Sequence, residues 1–325
     1  MFKKITALCL ILLFSMSALA GCGEDDDTKS VGFLTPYAST GFMAMLANEM
    51  ETGFTEAGYE WNIGVADGSS TTQIEQIENM IVQEVDVLVV MAVDPTALSD
   101  VLQDAEDAGI GIINFTTNPG VGDIFVGADE FAVGESVAEI ASDWIDSAFP
   151  DAADDSVNVT IMEFNGTPEA VERSEGLHEI FNLNSKATLT SAIEVENTTA
   201  AAQAATENLL LTNPEVNVIL TYNTGMALGV NAYVMSEDSP VENLADFGVF
   251  GADNDQEVLT AIQDSVDNDS ILRGATQLGD GNIAHTVDTL VGYADSLIAG
   301  EDVPENDYAE VNQITPDNVS DFIRE

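Results

Sequence analysis

Residues 85–91 read Val85-Asp86-Val87-Leu88-Val89-Val90-Met91, six apolar side chains around one aspartate. β-branched residues dominate the run and do not alternate with polar ones, which is the pattern of a parallel strand covered on both faces. Such a strand needs helices above and below it. Its flanks supply them, since residues 71–82 before it and 96–108 after it carry apolar side chains at helical spacing. The alternation continues outward in both directions. Strand patterns occupy 31–35, 62–66, 111–114, 124–127, 157–164, 189–195, 216–222, 247–251 and 272–277, with further helical patterns at 133–148, 200–211 and 281–299. Strand and helix by turns predict an α/β fold with parallel sheets.

These are too many units for one comfortable sheet, and the pattern restarts. The strand at 31–35 leads through a short polar loop into a helix that includes Phe54; the strand at 157–164 leads through Asn165-Gly166-Thr167-Pro168 into a helix that includes Phe181. The expected fold class is therefore α/β with two doubly wound parallel-sheet lobes. The acidic segment 149–156 is a loop between a helix and a strand of one lobe.

Composition agrees. A chain of 325 residues is about two domains long, and 45% hydrophobic against 20% charged residues excludes a disordered class. Seven Lys and Arg face 58 Asp and Glu, a net charge of −51. A field of that sign repels nucleic acid and anionic lipid, so a polyanion-binding role is excluded.

The first residues set the compartment. Lys3-Lys4, the apolar run 5–14 and Ser15-Met16-Ser17-Ala18 form the charged and apolar regions of a secretory signal, too short to span a membrane. Leu19-Ala20-Gly21-Cys22 follows and resembles the lipobox of bacterial lipoproteins, which implies cleavage before Cys22 and lipid attachment to its thiol. The competing reading is a plain signal peptide with a chance cysteine. Residues 1–21 are thus the signal peptide and 22–30 an acidic tether, whose eight residues after the cysteine reach roughly 26–29 Å at most. Cys9 leaves with the signal, so no disulfide supports the mature fold. Lys29, Arg173, Lys186, Arg273 and Arg324 are then the remaining cations. So acidic a surface reads as adapted to saline surroundings, where salt shortens the Debye length from about 10 Å at 0.1 M to about 3 Å at 1 M. Ordinary acidic solubility is the weaker alternative.

An ordered series of motifs resembles the type I periplasmic sugar-binding proteins, the ribose- and galactose-binding proteins in particular. The series is VGFLTPYASTGF at 31–42, Asp94-Pro95-Thr96-Ala97, Val126-Gly127-Ala128-Asp129, Glu172-Arg173-Ser174-Glu175-Gly176, Tyr222-Asn223-Thr224-Gly225-Met226-Ala227-Leu228-Gly229 and Phe250-Gly251-Ala252-Asp253. The resemblance implies a clamshell of two lobes joined by hinge strands near 127–129, 277 and 310–312. The lobes are residues 31–128 with 278–310, and 129–277 with 311–325. It implies a monomer without a cofactor that captures a sugar or related polyhydroxylated molecule and delivers it to the permease of an ABC transporter. Its place is outside the cytoplasm, held at the membrane through lipid on Cys22.

Site residues follow from the same resemblance. In the first lobe Phe42 matches the family's stacking aromatic, with a core position at the helix start as its competing role; Tyr37 and Thr40 stand in the same loop. In the second lobe Arg173 matches an arginine that donates to sugar oxygens, the alternative being a surface ion pair with Glu172 or Glu175. Asn223 matches a ligand asparagine or is a turn residue, Asp253 matches an accepting carboxylate or is an N-cap, and Gln277 matches a glutamine near the hinge. One departure stands out: Asn114-Phe115-Thr116-Thr117-Asn118 replaces a charged pair that many members carry, leaving Thr116 and Thr117 as polar groups and putting ribose in doubt.

Enzymatic readings lack their motifs. There is no Gly-x-Ser-x-Gly, no phosphate loop and no Gly-x-Gly-x-x-Gly; His178-Glu179 begins a zinc motif whose second histidine is replaced by Asn182. The serious alternative is the same clamshell as a ligand-sensing receptor for a chemoreceptor or sensor kinase.

Overall fold

The computed structural model describes residues 28–38 and 41–323, the side chain of Phe42 excepted. The leader at 1–21, Cys22, most of the 22–30 tether, and Thr40 lie outside them. Within the run at 85–91, Val87 and Val89 enter one apolar cluster with Phe33, Met50 and Phe54. Leu88 and Val90 enter another with Leu34, Ile77 and Leu102. Both faces are therefore covered. Asp86 escapes the core by accepting hydrogen bonds from the Ser30 backbone N–H at 2.7 Å and hydroxyl at 2.8 Å, which ties two neighbouring strands at their entry.

The chain runs β1 (Ser30–Thr35), α1 (Gly41–Glu56), β2 (Glu60–Val65), α2 (Ser70–Val82), β3 (Val87–Val90), α3 (Pro95–Asp107), β4 (Gly111–Phe115) and β5 (Ile124–Gly127). A second series follows: α4 (Glu130–Ala148), β6 (Val157–Glu163), α5 (Pro168–Leu177), α6 (Ile180–Leu183), β7 (Ala187–Glu194), α7 (Thr199–Thr212), β8 (Val218–Thr221), α8 (Thr224–Val234), β9 (Gly248–Gly251), α9 (Gln256–Asp264) and β10 (Leu272–Leu278). The chain ends with α10 (Ile283–Ile298), β11 (Asn306–Tyr308) and β12 (Val311–Ile314).

Two six-stranded sheets result among the described residues, in the orders β11-β5-β4-β3-β1-β2 and β12-β10-β9-β8-β6-β7. The first is parallel throughout, and the second is parallel except where β12 runs against β10. Each sheet has the same internal order, with the chain reversing direction across the sheet between β1 and β3 in one and between β6 and β8 in the other. Crevices outside the carboxyl ends of strands at such points are where doubly wound folds bind ligands. The chain passes between sheets between β5 and α4, between β10 and α10, whose Val287 and Leu290 join the first-sheet core, and between β11 and β12.

Helix starts follow local chemistry. Asp94 with Pro95 behind it caps α3, Asp129 caps α4, and Thr167 with Pro168 caps α5; in each case a side-chain oxygen accepts from an otherwise unpaired N–H. The single helix expected through Phe181 is instead broken. The His178 N–H closes α5 onto Glu175 and Gly176 carbonyls, while its ring meets Glu163 at 2.7 Å; Phe181 then lies in the separate short α6. β11 and β12 carry no continuous apolar run, and no strand pattern marked them.

Candidate ligand-binding site

Arg173 is the centre of the site. It sits in α5, 6% exposed, and its guanidinium is held on three sides. Nε donates to Glu130 Oε2 at 2.6 Å, Nη1 donates to Asp253 Oδ2 at 3.0 Å, and the cation lies 4.8 Å from the centre of the Tyr222 ring. The expected alternative of a surface pair with Glu172 or Glu175 is thereby overturned, because the side chain points inward between α4 and the loop after β9. Burial opposes its charge, yet the fields of Asp253 and Glu130 outweigh that and carry its pKa above the ordinary arginine value. For Glu130 burial wins over the attraction of Arg173 and raises the carboxyl above the usual glutamate range.

Local chain geometry places these groups. Glu130 is the first residue of α4, directly after the Asp129 cap. Tyr222 follows β8 and lies 5.3 Å from Phe164 between ring centres with the ring planes tilted by 57°, so Phe164 props the ring that faces the guanidinium at an angle, and Tyr222 alone makes the cation–ring contact. Asp253 follows β9 with φ +70°, and Thr116 follows β4, the corresponding strand of the first sheet, with φ +62°. Left-handed backbone is costly for a non-glycine residue and worst for a β-branched one. It recurs here at two equivalent strand ends, one in each sheet. Asp253 is not the N-cap of α9; Asp255 is. The Asp253 backbone N–H instead donates to Thr276 Oγ1 at 3.2 Å, leaving its half-exposed carboxylate for Arg173.

The other expected residues are more engaged. Asn223 caps α8, accepting from the Met226 N–H at 3.0 Å, and its amide donates to Asn197 Oδ1 at 2.7 Å. Gln277 donates to the Gly279 carbonyl at 3.3 Å and accepts from Asn254 at 3.5 Å. With Asp253, Asn254 and Phe322 it borders a cavity of about 360 Å³. In the first lobe, Thr117 Oγ1 accepts from the Ala92 N–H at 2.7 Å, and Tyr37 is 54% exposed. Thr116 lines a cavity of about 460 Å³ beside the inter-sheet crossings, together with Glu130, Asn282 and His285. Phe42 is the second residue of α1, but its ring lies outside the described atoms, as does Thr40. Among the described residues no hydrogen bond, ion pair or ring contact joins Tyr37, Thr116 or Thr117 to Arg173, Asn223, Asp253 or Gln277.

Sequence reasoning gave no role to Glu130, Phe164 or Tyr222. Tyr222 stood inside a quoted motif, and its place beside a strand end was its only signal. Glu130 had none, because its partner lies far along the chain. Among the described residues no group of three or more His, Cys, Asp or Glu has the arrangement of a metal site.

Residues 31–289 match the family model described as periplasmic binding protein domain. The ribose import binding protein RbsB of Bacillus subtilis (strain 168) is 23% identical over 275 residues, covering 79% of this chain and 84% of that protein. The multiple sugar-binding periplasmic receptor ChvE of Rhizobium radiobacter is 31% identical over 135 residues, 41% of this chain, which spans only 38% of that relative's length. An ABC transporter periplasmic solute binding protein from Actinobacillus succinogenes 130z, solved with bound D-allose, superposes with a TM-score of 0.73 at 20% identity, over 90% of this chain and 99% of that one.

Proposed function

Because the chain belongs to the periplasmic binding protein domain family, we propose that it captures a sugar or related polyhydroxylated small molecule outside the cytoplasm and delivers it to an ABC importer. The observation that carries this reading is the guanidinium of Arg173, fixed by Glu130 and Asp253 against the Tyr222 ring at strand ends. Fixed donors and acceptors beside aromatic faces are what a sugar needs, since its C–H faces pack on rings while each hydroxyl requires a directional partner. Arg173 donates through Nη2, and Asp253 accepts through its second oxygen. In this reading the ligand is also served by Asn223 and Gln277 of the second lobe and by Tyr37, Thr40, Phe42, Thr116 and Thr117 of the first.

The moving units in this reading are residues 31–128 with 278–310 and residues 129–277 with 311–325. A ligand that touches both favours the closed arrangement over the open one, and a ligand held by one lobe shifts the balance little. The protein acts as a monomer without a cofactor, and lipid on Cys22 holds it at the membrane; no described helix is long and apolar enough to cross one. A thermal-shift screen over D-ribose, D-galactose, D-allose and myo-inositol tests the reading. A true ligand at 100 times its dissociation constant adds about 2.7 kcal/mol of stability, and a panel in which no sugar or polyol raises the melting temperature would overturn it.

A further inference from the structure

We propose that Glu130 faces the ligand and sets its charge class, so that the site takes uncharged or aminated polyols and refuses sugar acids and sugar phosphates. This rests on the sugar-binding reading and narrows it.

The argument starts from how Arg173 is used. An arginine that recognises a carboxylate or phosphate normally offers two parallel N–H groups to it. Here Nε is taken by Glu130 and Nη1 by Asp253. The cluster of one cation and two carboxylates carries a net negative charge before any solute arrives. Each of the other described basic side chains is held elsewhere: Lys29 by Asp295 and Lys186 by Asp146. Arg273 is enclosed by the carbonyls of Phe247, Leu244 and Ser265 and by Asn268. Both histidines face carboxylates: His178 lies at Glu163, and His285, which lines the same cavity as Glu130, is paired there with Asp280, a second carboxylate of that lining. The first-lobe segment Asn114-Phe115-Thr116-Thr117-Asn118 contributes no charge of either sign.

Glu130 also reaches the crevice itself. Its side chain is 19% exposed, and it lines the cavity of about 460 Å³ shared with Thr116 and Asn282. Only Oε2 is engaged, by Arg173; Oε1 has no hydrogen-bond partner among the described residues. A carboxylate oxygen left open in a cavity accepts from a hydroxyl or an ammonium and repels an anion. Burial sharpens that choice, since an anion brought into the crevice loses its water without meeting a free cation. Glu130 therefore has two effects: it occupies the arginine edge that an acidic ligand would need, and it presents negative charge to whatever enters.

Matched ligands test this. Calorimetry on the purified protein compares D-galactose with D-galacturonate and D-galactosamine, D-glucose with D-glucuronate and D-glucosamine, and D-ribose with ribose 5-phosphate. The neutral or aminated member of a series should bind at least tenfold more tightly than its acid. Glu130→Gln should shrink that ratio at least threefold, while Glu130→Asp, which keeps the charge, should preserve it; circular dichroism serves as the folding control. An acid that binds within threefold of its neutral parent, or a ratio untouched by Glu130→Gln, overturns the proposal and leaves the sugar-binding reading standing. A glutamine variant that does not fold leaves the wild-type and Glu130→Asp ratios to decide. No binding by any member of any series overturns both.

Discussion

Arg173 Nη1 lies 3.0 Å from Asp253 Oδ2, and the contact joins unequal partners, one side chain 7% exposed and the other 48%. The two ends therefore answer mutation differently. Asp253→Asn removes a charged acceptor from the edge of the crevice, which should weaken ligand binding by about 2–4 kcal/mol with little change in melting temperature. Arg173→Ala also strands Glu130 in a mostly buried position, and breaking such a pair from one side costs about 3–5 kcal/mol of stability. Calorimetry and thermal unfolding on both variants separate the effects. An Arg173→Ala variant that melts with the wild type would show that the pair serves binding alone.

How far the sequence reached can be followed through these residues. The strand at 85–91 was legible because burial on both faces leaves no polar position to interrupt it. The two-lobe class was legible because each lobe repeats the same local alternation. β11 and β12 left no strand pattern of their own, because Asn306-Asp307-Tyr308 and Val311-Asn312-Gln313-Ile314 pair at sheet edges beside the crossings, where backbone bonds need no apolar run, and only the family resemblance pointed to a hinge strand near 310–312. The family motifs led to Arg173 and Asp253. Their contact with each other, and with Glu130 at the start of α4, is a product of the fold, since no spacing in the chain encodes which carboxylate an arginine will meet. The same holds for the contact that His178, at the break in the helix, makes with Glu163 across the loop.

The pH response of one ion pair has a definite sign. Asp295 accepts from Lys29 Nζ at 2.6 Å and from the Tyr59 hydroxyl at 2.8 Å. The Lys29 hydrogen bond is the main reason its pKa falls below the ordinary aspartate value; burial opposes it, and Tyr59 assists. A depressed carboxyl contributes stability that is present above its unfolded pKa of about 3.9 and is lost as pH falls through the lower folded value. Asp295→Asn should thus be less stable than wild type at neutral pH, by under about 1 kcal/mol for a pair this exposed. The gap should close in acid as pH falls through that lower folded value, and a gap of equal size across the whole titration would show that the loss is one of packing.

Lipid attachment is expected at Cys22. Metabolic labelling with a palmitate analogue in the native host should mark the wild type, and Cys22→Ala should remain unprocessed or freely soluble. Equal labelling of both would end the lipoprotein reading.

Salt should stabilise the fold. With 58 acidic side chains against seven basic ones, repulsion between like charges acts across the surface, and molar NaCl shortens its range to about 3 Å. The melting temperature should climb between 0.1 and 1 M NaCl. A flat profile would remove the case for a saline adaptation.

Two glycines to alanine make a paired test of how the helices position the arginine. Gly134 lies in α4 where α5 crosses it, and a Cβ built there would meet the Arg173 carbonyl oxygen at 2.1 Å and the Gly176 Cα at 3.0 Å. These neighbours are backbone, so the helices themselves must part. Overpacking of this kind costs about 1–3 kcal/mol, and the displaced element is the one that carries Arg173 toward Asp253. Gly134→Ala should therefore lower both the melting temperature and the ligand affinity. Gly292, inside α10, has nothing within 4 Å of its notional Cβ. There alanine restores helix propensity and should add about 0.5–1 kcal/mol without touching affinity. Thermal unfolding and calorimetry on both variants decide the matter. A Gly134→Ala protein that loses stability yet binds like wild type would mean that α5 can shift without moving the guanidinium, and the site would then owe its geometry to Glu130 and Asp253 alone.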